Sequence, residues 1–356
     1  MPPKFYYHAK IKHEGRELSE LKLQFNETWC LSCESYDCLL RCQYLSVDRE
    51  TAKAEIKKII RGEDSFVLHE CVTCYACEEY CNKGNHPFYL IVERQEEKDI
   101  LPAPKPIIKQ WIQMAEPTRP LEIREVKEPV ISLCFFPEYV SKIRGKLFKG
   151  ASMLTGRHFF CNLVYLHFAR SSVTKERLPK VIENITRHGI KELICLHDEC
   201  YSTFTSYAPA VGIEVPFKPI HYFEYLYKKL KEREDEIKPL GMKVAYQRPC
   251  SSRLVPEKEH FVDDIFELIG VERVEREYDG ENCLCCGAVF KMQGNYELAV
   301  GVQKKNVEDM VNAGAEACVF NCPYCFYTLS ELVSERNIRP LHMIDICRLA
   351  LGEEVK

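Results

Sequence analysis

The chain has 356 residues, too many for one core, and length alone predicts two or three domains. At 46% hydrophobic and 29% charged it is a folded chain rather than a disordered one, and a formal net charge of -4 gives no electrostatic reason to expect nucleic acid. No apolar run approaches the ~20 residues of a spanning helix. The opening MPPKFYYHAK lacks an apolar signal core, so the expected location is cytoplasmic.

The number that stands out is 20 cysteines. A disulfide framework belongs to short secreted chains, whereas these thiols come as Cys-x-x-Cys packets in a long chain, which points to metal. In chain order, residues 1–29 hold FYYHAKIKHEG and LKLQFNET around a Glu-Gly turn, predicting a small hairpin or arm. CLSCESYDCLLRC then supplies Cys30, Cys33, Cys38 and Cys42. After 28 residues CVTCYACEEYC supplies Cys71, Cys74, Cys77 and Cys81. The second packet has the spacing of bacterial ferredoxins, in which the fourth cysteine of each run ligates the other cluster. The first has two extra residues before Cys38, so its loop must bulge.

That rule assigns Cys30, Cys33, Cys38 and Cys81 to one [4Fe–4S] cubane and Cys71, Cys74, Cys77 and Cys42 to a second. The usual proline after the last cysteine is missing, with Gln43 and Asn82 in its place. A pair of zinc knuckles is the competing reading, and the three-residue spacer closing each run disfavours it. TAKAEIKKIIRGED between the packets predicts an amphipathic helix ending near Gly62. PFYLIVERQEEK predicts a helix opened by Pro87, LPAPKP breaks it, IIKQWIQMAE makes another, and PTRPLEIREVKEP is extended. Trp111 and Met114 there read as packing residues.

Two halves follow that look like copies. PVISLCFF, TKERLPKVIENITRHG and KELICLHDEC read as strand, helix and strand, as do MKVAYQRPC, NYELAVGVQKKNVEDMVNAG and EACVFNCPYC. The interval from Cys161 to His197 equals the 36 positions from Cys286 to Cys322. On this alignment Phe136 replaces Cys250, Phe160 replaces Cys285, Asn162 replaces Gly287 and His197 replaces Cys322, while Cys161 and Cys200 keep their places. Strand–helix–strand units with ligands at strand ends fit an α/β arrangement with the site at the carboxyl edges of the strands.

The second half gathers Cys250, Cys285, Cys286, Cys322 and Cys325, one thiol more than a tetrahedral zinc takes. One cysteine, a spacer, Cys-Cys-Gly, a spacer and Cys-x-x-Cys resembles the cysteine-rich CCG domain of heterodisulfide reductases and of glycolate oxidase iron–sulfur subunits. That resemblance implies a non-cubane [4Fe–4S] cluster on these five cysteines, with Cys285 and Cys286 at the reacting centre and Gly287 admitting the cluster without a Cβ in the way. It implies an α-helical ferredoxin domain over 30–100, a linker over 101–128, a degenerate CCG domain over 129–235 and a complete one over 236–356. Cys283 reads as a pocket-lining thiol, and Cys318 and Cys347 as buried small hydrophobes.

In the first half Cys161, Cys195, His197 and Cys200 remain, with Cys134 nearby. Three readings stay open there: no metal, one zinc, or a further cluster. No G-x-G-x-x-G or G-x-x-x-x-G-K-[ST] stretch is present, so electrons are expected to enter and leave through clusters or partner subunits. The resemblance implies an oxidoreductase subunit that feeds electrons to a small disulfide or thiol, beside a membrane haem or quinone subunit that would hold it peripherally at the inner membrane face. The alternative it implies is an electron-transfer subunit serving a flavoprotein that oxidises glycolate, lactate or glycerol 3-phosphate.

Overall fold

The protein, seen in a computed structural model, is described over residues 12–13, 16–17 and 22–355. Strands β1 (Lys12–His13) and β2 (Arg16–Glu17) pair antiparallel. The rest of the expected arm up to Leu21 lies outside the described residues.

Seven helices follow: α1 (Glu27–Leu31), α2 (Asp37–Leu40), α3 (Arg49–Arg61), α4 (Phe66–Glu70), α5 (Ala76–Tyr80), α6 (Pro87–Glu97) and α7 (Lys105–Met114). α3 forms where the periodicity predicts it. Asp48 accepts from the Thr51 amide at 2.8 Å, Ala52, Ile56, Ile59 and Ile60 form one buried face, and Gly62 ends the helix at φ 71°. Its last carbonyls find an unusual partner: Arg94 of α6, 2% exposed, donates from Nε to Ile59 O and from Nη2 to Ile60 O, both at 2.8 Å. α6 is buried along nearly its whole length, which its opening proline and apolar first turns permit.

Two four-stranded parallel sheets come next. One has the order β4 (Ser152–Leu154), β3 (Val130–Ser132), β5 (Glu192–Cys195), β6 (Lys218–His221); the other runs β8 (Glu272–Arg273), β7 (Lys243–Gln247), β9 (Ala317–Phe320), β10 (Arg339–His342). The helices that carry the crossovers and ends are α8 (Ser171–Thr186), α9 (Asp198–Ser202), α10 (Ala208–Ala210), α11 (Tyr222–Lys231), α12 (His260–Leu268), α13 (Ala288–Met292), α14 (Tyr296–Asn312), α15 (Pro323–Ser334) and α16 (Met343–Ala350). The chain is therefore α/β with an all-helical first part, and the two sheets share one strand order. Register sharpens the alignment of the halves. Ser132 pairs with Cys195 and Gln247 with Phe320, each two residues before His197 and Cys322. Three residues on, Phe135 rather than Phe136 stands level with Cys250. Cys134 takes a left-handed φ of 51°, and it is the Phe136 ring that meets His197, at 5.4 Å.

Two polar seams tie the helical part to the sheets. On one side Glu93 of α6 pairs with Lys175 of α8, and Glu96 accepts from the Ser172 amide at 2.9 Å, placing a carboxylate at the start of α8. On the other, Glu79 of α5 receives Arg248 at 2.8 Å and Arg253 at 2.9 Å, all three side chains buried. Arg253 also donates to Cys283 O at 2.8 Å, and Arg248 to Gly280 O at 3.0 Å. Breaking a buried pair strands charge away from water. Glu79→Ala is expected to destabilise the protein by about 3–5 kcal/mol, read as a lowered denaturant midpoint; an unchanged midpoint would show the seam to be dispensable.

Candidate metal centres

All 20 cysteines are free thiols, and 16 of them sort into four groups. In the first, Cys30, Cys33, Cys38 and Cys81 line one hollow together with Trp29 and Tyr80. In the second, Cys42, Cys71, Cys74 and Cys77 line another, with Cys38 on its rim and Tyr44 in its wall. Cys81 thus stands with the first packet and Cys42 with the second. Both packets are shaped alike: Tyr36 (φ 54°) and Tyr75 (φ 65°) each make a left-handed turn immediately before the short helix that carries Cys38 or Cys77. The two extra residues, Glu34 and Ser35, sit ahead of that turn, so the bulge leaves the third cysteine's presentation intact.

Amide and side-chain donors already point at these sulfurs. Asn85 Nδ2 donates to Cys30 Sγ at 3.1 Å, its backbone N–H to Cys81 Sγ at 3.4 Å, and Thr73 N–H to Cys71 Sγ at 3.4 Å. Burial nevertheless dominates: it pushes the Cys30 and Cys71 thiols up to about 12 and Cys74 up to about 11. Buried thiols crowded this way are poor anions until a cation replaces their protons, so loading is coupled to proton release.

The third group lies at the carboxyl edge of the second sheet. β7 leads through Arg248 and Pro249 to Cys250; β9 leads to Cys322, the cap residue of α15, and Cys325 follows in its first turn. Cys285 and Cys286 precede Gly287, which begins α13 at φ 85°. A Cβ on Gly287 would lie 2.8 Å from Gln303 Nε2, and Gln303 donates to Cys286 O at 2.9 Å, so close packing as well as the turn requires glycine. Cys285, Cys286, Cys322 and Cys325 are buried in one cluster of side chains, where Cys286 raises the Cys285 thiol and is itself lowered beside Cys285 and Cys325. Cys250 stands beside them, its thiol raised by burial and by the charges of Glu199, Cys322 and Cys286. Contact with Cys325 and with His197 lowers the Cys322 thiol to about 6. Five thiols from distant stretches of chain, four of them buried and Cys250 half-buried, with no disulfide among them, are a donor set suited to a soft multinuclear centre.

Cys283 lines the seam, its carbonyl accepting from Arg253 Nη2 at 2.8 Å. Cys318 and Cys347 are fully buried away from the group.

The fourth group departs from expectation. The sulfurs of Cys134, Cys161 and Cys200 lie within 4.8 Å of one another. Cys195 is close but turns its thiol to Leu193 O at 3.7 Å, and His197 leaves the group altogether. His197 Nε2 lies 3.3 Å from Cys322 Sγ, in the other half. Cys134 enters instead because its left-handed turn folds the sulfur back, where it accepts from the Cys161 amide at 3.4 Å. Asn162 repeats the left-handed turn of Gly287, at φ 65°, and so keeps the geometry of the motif after its sequence has changed. His221 and His342 hold equivalent ends of β6 and β10 and cap the helices that follow, accepting from Phe223 N at 3.3 Å and Ile344 N at 3.2 Å.

Between the halves lies an open cleft of about 530 Å³, bounded by Phe135, Phe136, Glu138, Arg157, Tyr324 and Tyr327. Its floor is the Phe136–Tyr324 ring pair, 5.6 Å apart, with His197 on the far side. Sequence reasoning missed it because its walls come from both halves.

Residues 244–330 match the cysteine-rich CCG domain family. Over 202 residues, 54% of this chain, the sequence is 24% identical to one of the subunits of dihydromethanophenazine:CoB–CoM heterodisulfide reductase from Methanosarcina barkeri, and the match covers 48% of that protein. The matched stretch is about half the length of this relative. In fold the chain is similar to a hypothetical protein from Helicobacter pylori known from a crystal structure, with a TM-score of 0.55 and 13% identity over 85% of this chain and 64% of that one. Among the described residues no helix is long and apolar enough to cross a membrane.

The crossed arrangement of the two packets has a direct consequence. Cys42→Ala is expected to abolish the EPR signal of the centre built on Cys71, Cys74 and Cys77 while leaving that of the Cys30 group. Loss of the Cys30-group signal instead would mean that each packet closes on itself.

Proposed function

The chain is heterodisulfide reductase-like and carries a CCG domain, and from that premise we propose that it is the iron–sulfur subunit of an oxidoreductase that processes a small disulfide or thiol. Two cubane [4Fe–4S] clusters and one non-cubane [4Fe–4S] cluster would supply the one-electron chemistry when bound. Cys30, Cys33, Cys38 and Cys81 would hold the first, Cys42, Cys71, Cys74 and Cys77 the second, and Cys250, Cys285, Cys286, Cys322 and Cys325 the third. The observation that carries this reading is the gathering of Cys285, Cys286, Cys322 and Cys325 in one buried cluster at the carboxyl edge of the second sheet, with Cys250 just beyond the end of β7. Modules over 30–100, 129–235 and 236–356, joined by 101–128, follow from the same assignment.

The order of the groups supports a directed path. Tyr44 lines the hollow of the second packet and packs against the cluster that holds Cys285 and Cys286, its ring 5.5 Å from Phe290, which favours the second packet as the one facing the CCG group. The first packet lies outermost: Trp29, which lines its hollow, is 41% exposed. Electrons would enter there from a redox partner, a membrane haem or quinone subunit, pass the second packet and arrive at Cys285 and Cys286. The cleft at Phe136 and Tyr324 offers the disulfide an apolar approach, with Arg157 to receive an anionic end. Cys134, Cys161 and Cys200 suit one zinc, since three thiolates leave a fourth position open.

A second reading, an electron-transfer subunit for a flavoprotein dehydrogenase, is favoured by one observation. The first half has lost the thiols at the positions of Cys250, Cys285 and Cys322, so only one complete CCG site remains.

Anaerobic protein titrated with thiols separates the two. A new paramagnetic signal that is lost in Cys286→Ser, with iron falling from about 12 to about 8 per chain, is the expected result. A thiol-insensitive spectrum at full iron content would overturn the disulfide reading in favour of conduction alone.

A further inference from the structure

His197 is the residue that the divergence of the halves leaves without a role in its own half. It stands at the end of β5, where the second sheet carries Cys322 at the end of β9, and it caps α9 as Cys322 caps α15. It belongs to no thiol group of its half: Cys134, Cys161 and Cys200 close on one another without it. Instead the ring crosses the interface, and Nε2 comes to 3.3 Å from Cys322 Sγ.

The ring cannot easily turn elsewhere. It is 1% exposed, the Phe136 ring meets its edge at 5.4 Å and 89°, and the nearest carboxylate, Glu199 Oε2, lies 3.8 Å from Nδ1, too far for a hydrogen bond. Both partners are buried, His197 to 1% and Cys322 to 8% exposed. A thiolate that ligates a metal has no proton to give, so at 3.3 Å the contact with Cys322 Sγ makes Nε2–H of His197 the donor. Such bonds withdraw electron density from the thiolate and favour the reduced form of whatever centre the thiolate holds.

We propose that His197 is a positioning residue of the CCG centre: the degenerate half donates an Nε2–H hydrogen bond to Cys322 and thereby raises the reduction potential of the centre held by the intact half. This rests on the reading that the five cysteines hold a cluster. It gives the first half a purpose that its lost ligands do not: it shapes one wall of the other half's site and delivers one donor to it. The two outer packets, with donors from Asn85 and Thr73 instead, lie outside its reach.

The test is a potentiometric titration of the fully loaded chain, followed by EPR, for wild type, His197→Leu and His197→Gln. His197→Leu is expected to weaken reduction of the CCG centre at least tenfold, equal to a fall of about 59 mV for one electron, with both cubane potentials unmoved. His197→Gln, which keeps an N–H of similar reach, should recover most of the difference. Iron near 12 per chain with an unmoved potential in His197→Leu would overturn this inference alone. Iron near 8 in the wild type would overturn the cluster reading and the inference with it. Should His197→Leu fail to hold its iron, wild-type protein labelled with ¹⁵N-histidine decides the matter. A ¹⁵N coupling to the paramagnetic CCG centre is expected, and its absence would overturn the assignment.

Discussion

Sulfur atoms from distant stretches of chain have to meet in a buried place, and everything else in this protein is arranged around that demand. A parallel sheet answers it because successive strands finish at the same edge, so residues far apart in sequence arrive side by side. Cys250 and Cys322 come from neighbouring strands, and the short loop before α13 folds Cys285 and Cys286 into the gap. The cost is electrostatic. Burial raises Cys250, and its neighbours' charges raise it further, while contact with Cys325 and His197 lowers Cys322; thiols buried together favour a cation to share their charge.

The same demand explains the polar seams. If the two packets are to pass electrons to the third group, the helical part must sit at a fixed place against the second sheet. The Glu79 carboxylate does this from two residues away from both Cys77 and Cys81, and its partners Arg248 and Arg253 stand two and three residues from Cys250. α6 does the corresponding task against the first sheet through Glu93 and Glu96. Ion pairs this deep add little net stability over apolar packing, but they leave few alternative registers for the parts they join.

Divergence of the halves has kept the backbone and changed the chemistry. Asn162 preserves the left-handed turn of Gly287, and His221 and His342 cap equivalent helices, while the ligand positions have drifted to phenylalanine and histidine. Cys134 then brings a third thiol to Cys161 and Cys200, and His197, released from its half, faces Cys322. One fold, duplicated, thus yields a multi-thiol site, a three-thiol site and a cleft between them.

What the amino-acid sequence determined by itself was whatever short-range spacing controls. Packet spacing marked two four-cysteine runs, the 36-position interval marked two similar halves, and strand-like runs closed by glycine marked α/β units, because each depends on neighbours within a few turns of chain. Register was less legible: counting on from the last paired residues, Ser132 and Gln247, brings Phe135 rather than Phe136 to the position of Cys250, and a left-handed turn at Cys134 intervenes. Grouping Cys161 and Cys200 with Cys195 and His197 followed strand alternation, which the sheet edge does not continue. Only the tertiary structure could decide that Cys134 joins the trio, that His197 reaches across to Cys322, and that Tyr44 lies between two groups. Each is a contact between elements whose separation along the chain is large, and such contacts are set by how whole sheets and helices pack rather than by any local pattern.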